Sequence, residues 1–234
     1  MMNSQIALRR SQLYRFLADA FLYPTEDWTI DIPLLEPALD ELGLSDHRLH
    51  CGPLDLADLQ AEHRHVFGLT GSLCYETEYG LPHEYRQSQE MADIAGFYRA
   101  FGFENGGVIR ERSDYLSTEL EFMHTLTLKE AYAREADHAE HIEVCVDAQR
   151  KFLRDHLAHW LPLFNKRLEQ LAVEGVYADL AALITAFVAA EADRLGAQPE
   201  PFRGPEIKAT PFNLDFSCGD CPAADLAKEQ YASA

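Results

Sequence analysis

Apolar residues recur at three- and four-residue intervals through most of the chain, and no run alternates apolar and polar for long enough to build a sheet. The pattern predicts an all-α fold, a single-domain helical bundle. Its first helix runs from Ser4 to Leu22, with Leu13, Phe16, Leu17, Ala20 and Phe21 on one face. It stops before Pro24, because a proline disfavours helix in the residue preceding it. A second helix covers Pro33 to Leu42, with Gly43 placed to cap its end. Asp55 caps a third, which carries Leu59, His63 and Phe67 toward Gly68. Helix returns from His83 to Phe101, breaks at GFENGG, and resumes after Ser113 or Asp114, either of which can cap a long helix to Ala133. Three more are expected over His138–His156, Trp160–Leu171 and Tyr177–Leu195, with Gly175 and Gly196 as breaks.

Two stretches lack this period. Between Gly68 and Leu81 the run GSLCYETEYGL mixes glycines and aromatics, which suits a packed loop of the kind that carries binding residues. Beyond Gly196, four prolines within AQPEPFRGPEIKATP preclude a regular element. The expected organisation is a helical domain over residues 1–196 and a proline-rich extended tail over 197–234.

Charge narrows the partners. With 39 acidic against 20 basic side chains, the chain carries a formal charge of -19, which repels nucleic-acid phosphates and anionic lipid surfaces. It attracts basic peptide segments over a Debye length of about 8 to 10 Å. No stretch approaches the roughly 20 apolar residues that a membrane helix requires. Arg9 and Arg10 ahead of Ser11, Gln12 and Leu13 look at first like a twin-arginine export signal, but Arg15, Asp19 and Tyr23 interrupt the apolar run that such a signal needs. Five cysteines in an odd, widely spaced set do not form a disulfide framework, so a reducing, cytoplasmic location is expected.

Candidate chemistry concentrates in ERSDYLSTELEFMHTL. Tyr115, Leu116, Leu120, Phe122, Met123 and Leu126 share a broad apolar face, and Glu119 falls near its centre. A carboxylate aimed at the core must meet a cation or hydrogen-bond donors, or keep its proton. It is either a structural anchor or a pocket acid. Glu121 points the opposite way, toward solvent. Glu121 with His124, and Glu135 with His138, form E-x-x-H pairs of the type a di-iron bundle uses, although that site needs the pairs on different helices with two further inward glutamates. His156 and His159, near Trp160, read as partly exposed, satisfied side chains. Cys218 and Cys221 form a lone C-x-x-C, a weak signal for a thiol or zinc module in the tail. No P-loop, dinucleotide fingerprint, G-x-S-x-G or H-E-x-x-H is present, which favours binding over catalysis and gives no reason to expect a cofactor.

The same segment resembles the signature E-x-P-D-H-L-x-x-E-L-E-F-M of the TorD/DmsD/NarJ family of redox-enzyme maturation chaperones, matching it at Glu111, Asp114, Leu116, Glu119, Leu120, Glu121, Phe122 and Met123. HRHVFGLTG, CYETEYG and ADIAGFYRAFGFE resemble the family's preceding motifs in order, so the likeness spans most of residues 5–130. CYETEYG and the cysteine-bearing tail are most similar to the chaperones of type II enzymes of the dimethyl sulfoxide reductase family. The resemblance implies a non-enzymatic, all-helical protein, monomeric or weakly dimeric. It would hold a molybdoenzyme catalytic subunit, or its twin-arginine signal peptide, until cofactor insertion is complete. It implies that Asp114 takes part in signal-peptide binding and that Tyr79 lies near that pocket. The family's histidine and proline around the aspartate are Tyr115 and Ser113 here. The client-binding residues expected on these grounds are Tyr75, Glu78, Tyr79, Asp114, Tyr115, Glu119 and Phe122, with Tyr85 a further aromatic candidate.

Overall fold

Helix α1, Met2–Ala20, lies along α5, Leu116–Glu135, and this pair forms the spine of the molecule. The computed structural model describes residues 2–68, 74–79, 84–104, 111–171 and 173–200, with side chains from Ser4 onward except those of residues 84–87. The tail residues Cys218 and Cys221, the side chain of Tyr85 and the second half of the GFENGG turn lie outside the described residues. Among the described residues there is no strand. The fold is all-α, as the periodicity predicts.

Around the spine stand α2, Ile32–Leu42; α3, Leu56–Phe67; α4, Glu84–Ala100; α6, Ala139–Phe152; α7, Ala158–Gln170; and α8, Val176–Leu195. The local stop signals act as expected. Asp55 accepts from the Ala57 N–H at 2.8 Å to cap α3. Gly43 ends α2 in the left-handed region, with the Leu44 N–H returning to the Leu39 carbonyl at 2.7 Å.

Two expectations change. Neither Ser113 nor Asp114 caps α5. Tyr115 occupies that position without a side-chain cap, because the Asp114 carboxylate is bonded elsewhere. And α6 and α7, expected as separate helices over His138–His156 and Trp160–Leu171, run on without a gap. A π-helical turn, Leu153–Leu157, joins them. Pro162 in α7 cannot donate to the Ala158 carbonyl, and the backbone ladder widens in the turn just before that residue. The wider turn keeps Leu153, His156 and Leu157 all in the interior.

The core is rich in aromatic edges. Phe122 sits among Tyr98, Phe103 and Phe152, with ring centres 4.9 to 5.6 Å away. Phe67 and Phe164 stack near Tyr177. At the start of α8, Gly175 has φ 81 and ψ -160, a conformation open essentially to glycine alone, and an added Cβ would lie 2.3 Å from Glu62 Oε1. Gly175→Ala is expected to lower the unfolding free energy by about 1 to 3 kcal/mol, read as a lower urea midpoint with an unchanged slope.

One polar knot crosses this core. Arg10, only 2% exposed, donates through Nε to both Glu191 oxygens at 2.8 and 2.7 Å and through Nη1 to Glu130 at 2.8 Å. Its Nη2 donates to Gln149, whose amide donates to Glu130 at 2.9 Å. Four helices, α1, α5, α6 and α8, are thereby tied by one guanidinium. Burial works against the Glu130 charge, but Arg10, Gln149 and Arg134 outweigh it and hold that carboxyl below its ordinary range. Arg9 and Arg10 thus belong to a core helix.

Candidate functional site

The short segment 74–79 is stitched to the start of α5. The Glu76 N–H donates to the Asp114 carbonyl at 2.9 Å and the Leu116 N–H to the Cys74 carbonyl at 2.8 Å, making one antiparallel bridge between Tyr75 and Tyr115. Beneath it lies a charged clasp. The fully buried Asp114 carboxylate accepts from Thr77 Oγ1 at 2.7 Å and from Arg112 Nε and Nη2 at 2.9 and 2.7 Å. Arg112 also donates to Glu78 at 3.1 Å and to Thr77 Oγ1 at 2.8 Å, with its guanidinium 4.5 Å from the centre of the Tyr75 ring. The turn is therefore held by ionic hydrogen bonds as well as by the burial of Cys74 and Tyr79.

The residues expected from sequence divide by depth. Tyr75 and Glu78 are half-buried and reach the surface. Asp114, Tyr115, Glu119, Phe122 and Tyr79 are buried. Tyr115 donates its hydroxyl to the Phe21 carbonyl at 3.0 Å, and Tyr79 packs on Trp160 with ring centres 5.2 Å apart. Glu119 accepts from Trp160 Nε1 at 3.1 Å, and among the described residues neither a backbone N–H nor an arginine holds its carboxyl. Burial first, and the adjacent Glu76 charge second, push its carboxyl well above the usual carboxylate range.

The E-x-x-H pairs do not converge. His124 Nδ1 lies 2.9 Å from Ser11 Oγ, while Glu121 accepts from Arg15 at 2.9 Å. Among the described residues no three His, Cys, Asp or Glu side chains gather as metal ligands.

A groove that sequence reasoning missed opens beside the clasp, between α1, the 3-10 turn Trp28–Asp31 and α2, with a volume of about 710 Å³. Phe16, Leu22, Trp28 and Leu35 line its floor, and exposed Tyr23 and Leu34 stand at its sides. Among the described residues, Asp19, Glu26, Asp31 and Glu111 surround it against one cation, Arg15, which is already paired with Asp19 and Glu121. Glu111 connects the groove to the clasp, since its charge also acts on Tyr75. The available signal was the apolar FLYPTEDW stretch with acids interspersed, just after α1.

This architecture has relatives. The family model described as "Nitrate reductase delta subunit" matches residues 33–166. The chain belongs to the nitrate reductase delta subunit family. The matched region runs from α2 to most of α7 and so contains the clasp, Glu119 and Trp160. The chain is 32% identical to the "Chlorate reductase assembly chaperone protein" of Ideonella dechloratans over 194 residues, which cover 81% of this chain and 91% of that one. It is 30% identical to the "Selenate reductase assembly chaperone protein" of Thauera selenatis, covering 79% and 89%. A "Chaperone protein TorD" of Vibrio parahaemolyticus is 28% identical over 65% of this chain and 71% of its own length. No solved structure gives a significant match. Among the described residues of this family member, no helix is long and apolar enough to cross a membrane.

Proposed function

We propose that the protein is a non-enzymatic, cytoplasmic chaperone that binds the catalytic subunit of a molybdoenzyme of the type II dimethyl sulfoxide reductase family and releases it after cofactor insertion, before export. The segment it grips is basic and apolar, as in a twin-arginine signal. The observation that carries this reading is the groove beside the clasp, which joins an apolar floor to a rim with more carboxylates than cations among the described residues. Such a surface captures a segment by apolar contact, while the rim raises the encounter rate and selects for arginine. The relatives' names as assembly chaperones for chlorate and selenate reductases support the choice of client. Tyr75 and Glu78, with Arg112 between them, form the neighbouring wall, and Asp114, Tyr115, Tyr79, Glu119 and Phe122 act by holding that wall in shape.

Two results test this. A pull-down of the chain from its native cell should recover a molybdoenzyme subunit. With a synthetic twin-arginine signal peptide as the probe, Glu26→Lys combined with Asp31→Lys should weaken binding at least about tenfold, or about 1.4 kcal/mol, while stability changes by less than about 1 kcal/mol. Both side chains are exposed, so an unchanged affinity in a folded double variant would remove the groove from the reading.

A further inference from the structure

Four titratable side chains and one indole form a line from the surface into the core behind segment 74–79. Asp93 on α4 is exposed, and its Oδ2 lies 3.2 Å from His156 Nε2, an ion-pair separation without hydrogen-bond alignment. His156, buried in the π-helical turn, places Nδ1 3.1 Å from Glu76 Oε1. Glu76 and Glu119 are both buried, and the far oxygen of Glu119 accepts from Trp160.

The remaining oxygens are the telling ones. Glu76 Oε2 and Glu119 Oε1 are buried and have no donor among the described residues. Two ionised carboxylates can only accept, so facing each other they would repel in a region with little water. One proton changes this, because a protonated Glu119 donates to Glu76 and both orphaned oxygens are satisfied. We propose that a single exchangeable proton shared by Glu119 and Glu76 latches segment 74–79 to the helical core, and that Asp93 and His156 are its route to solvent. To open the latch, Glu119 passes its proton to Glu76. Glu76 passes one to Nδ1 of neutral His156, which releases the proton on Nε2 to Asp93 and then to water.

The surroundings favour the closed form. Glu119 faces Glu76 from the turn, Asp114 with its partner Arg112 from the chain before α5, and Trp160 from α7. Tyr98 on α4 points its hydroxyl at the Ser113 carbonyl and feels the same carboxylates. His156 faces Glu76, Asp93 and Asp155. Burial opposes its charge, but these three acids raise it above its ordinary value. With Glu119 also raised, the folded protein holds protons that the unfolded chain releases. The contribution of this cluster is therefore full at acidic pH and is lost as pH rises through the raised values. Segment 74–79 is the member that yields, since the other partners stand on long helices.

The test uses the full chain without client. Hydrogen exchange of amides 76–79, corrected for intrinsic rates, should lose at least about tenfold protection between about pH 6 and pH 9 in the wild type. Glu119→Gln, whose amide donates to Glu76 without a titratable proton, should flatten that dependence and remove a protonated-carboxyl infrared band. Asp93→Asn, an exposed change, should move the transition to lower pH and remains informative if Glu119→Gln fails to fold. A flat wild-type profile, the same slope in Glu119→Gln, or an unmoved transition in Asp93→Asn would each overturn the latch. These readouts need no client, so their failure leaves the proposed function standing.

Discussion

Replacing Arg10 with alanine is expected to lower the unfolding free energy by about 3 to 5 kcal/mol, the range for removing one partner of a buried ion pair. The reason is what stays behind. Glu191 and Glu130, only 1% and 3% exposed, would lose their central cation, and Gln149 would lose its donor. Arg134 and Arg194 reach the same acids from the edge, so some compensation is expected. Arg10→Lys keeps a charge but not the fork that binds both acids and the amide, and should fall between wild type and alanine. The sign of the pH dependence follows from Glu130. Its carboxyl is held below its ordinary value, so its contribution is present above that value and is lost as pH falls through the lowered one. The penalty for Arg10→Ala should therefore be greatest near neutral pH and shrink toward about pH 4, where the orphaned Glu130 takes up a proton. Urea denaturation at both pH values decides it, and an equal penalty at each would remove Arg10 from this role.

Asp114→Ala is expected to cost about 2 to 3 kcal/mol and to weaken client capture through the same event. Asp114 is fully buried, and its bonds go to Thr77 and Arg112. Without it Arg112 remains hydrated and attached to Glu78, so the loss stays below that of a wholly buried pair. What fails is the hold on segment 74–79. Thr77→Val, which removes the hydroxyl between Asp114 and Arg112, should then reproduce the capture defect in milder form. Intact capture by Thr77→Val beside lost capture by Asp114→Ala would instead mean that Asp114 grips the client itself.

The sequence was most legible where the physics is local. Pro24, Gly43, Asp55 and Gly196 act on their own turn of chain, and the helix boundaries follow them to within a few residues. Glu119 was legible in part. Helical arithmetic places it in the core and requires a donor or a retained proton, but an indole 41 residues later supplies the donor. Asp114 was expected as a cap or an exposed contact, and its hydroxyl partner lies 37 residues upstream. His156 was expected to be partly exposed, yet the π-helical turn rotates it inward between Glu76 and Asp93. Arg10 carried an overlooked signal. It stands three and seven residues before Leu13 and Leu17, on the buried face of α1.

The sequence by itself determined that this chain is a helical bundle with an acidic character, because periodicity, turn residues and net charge are properties of neighbours and sums. Tertiary structure alone decided which charges meet inside it. The acids that neutralise Arg10 lie 120 and 181 residues away along the chain. A buried charge is stable only beside its partner, and no local pattern records which distant residue folding brings within 3 Å.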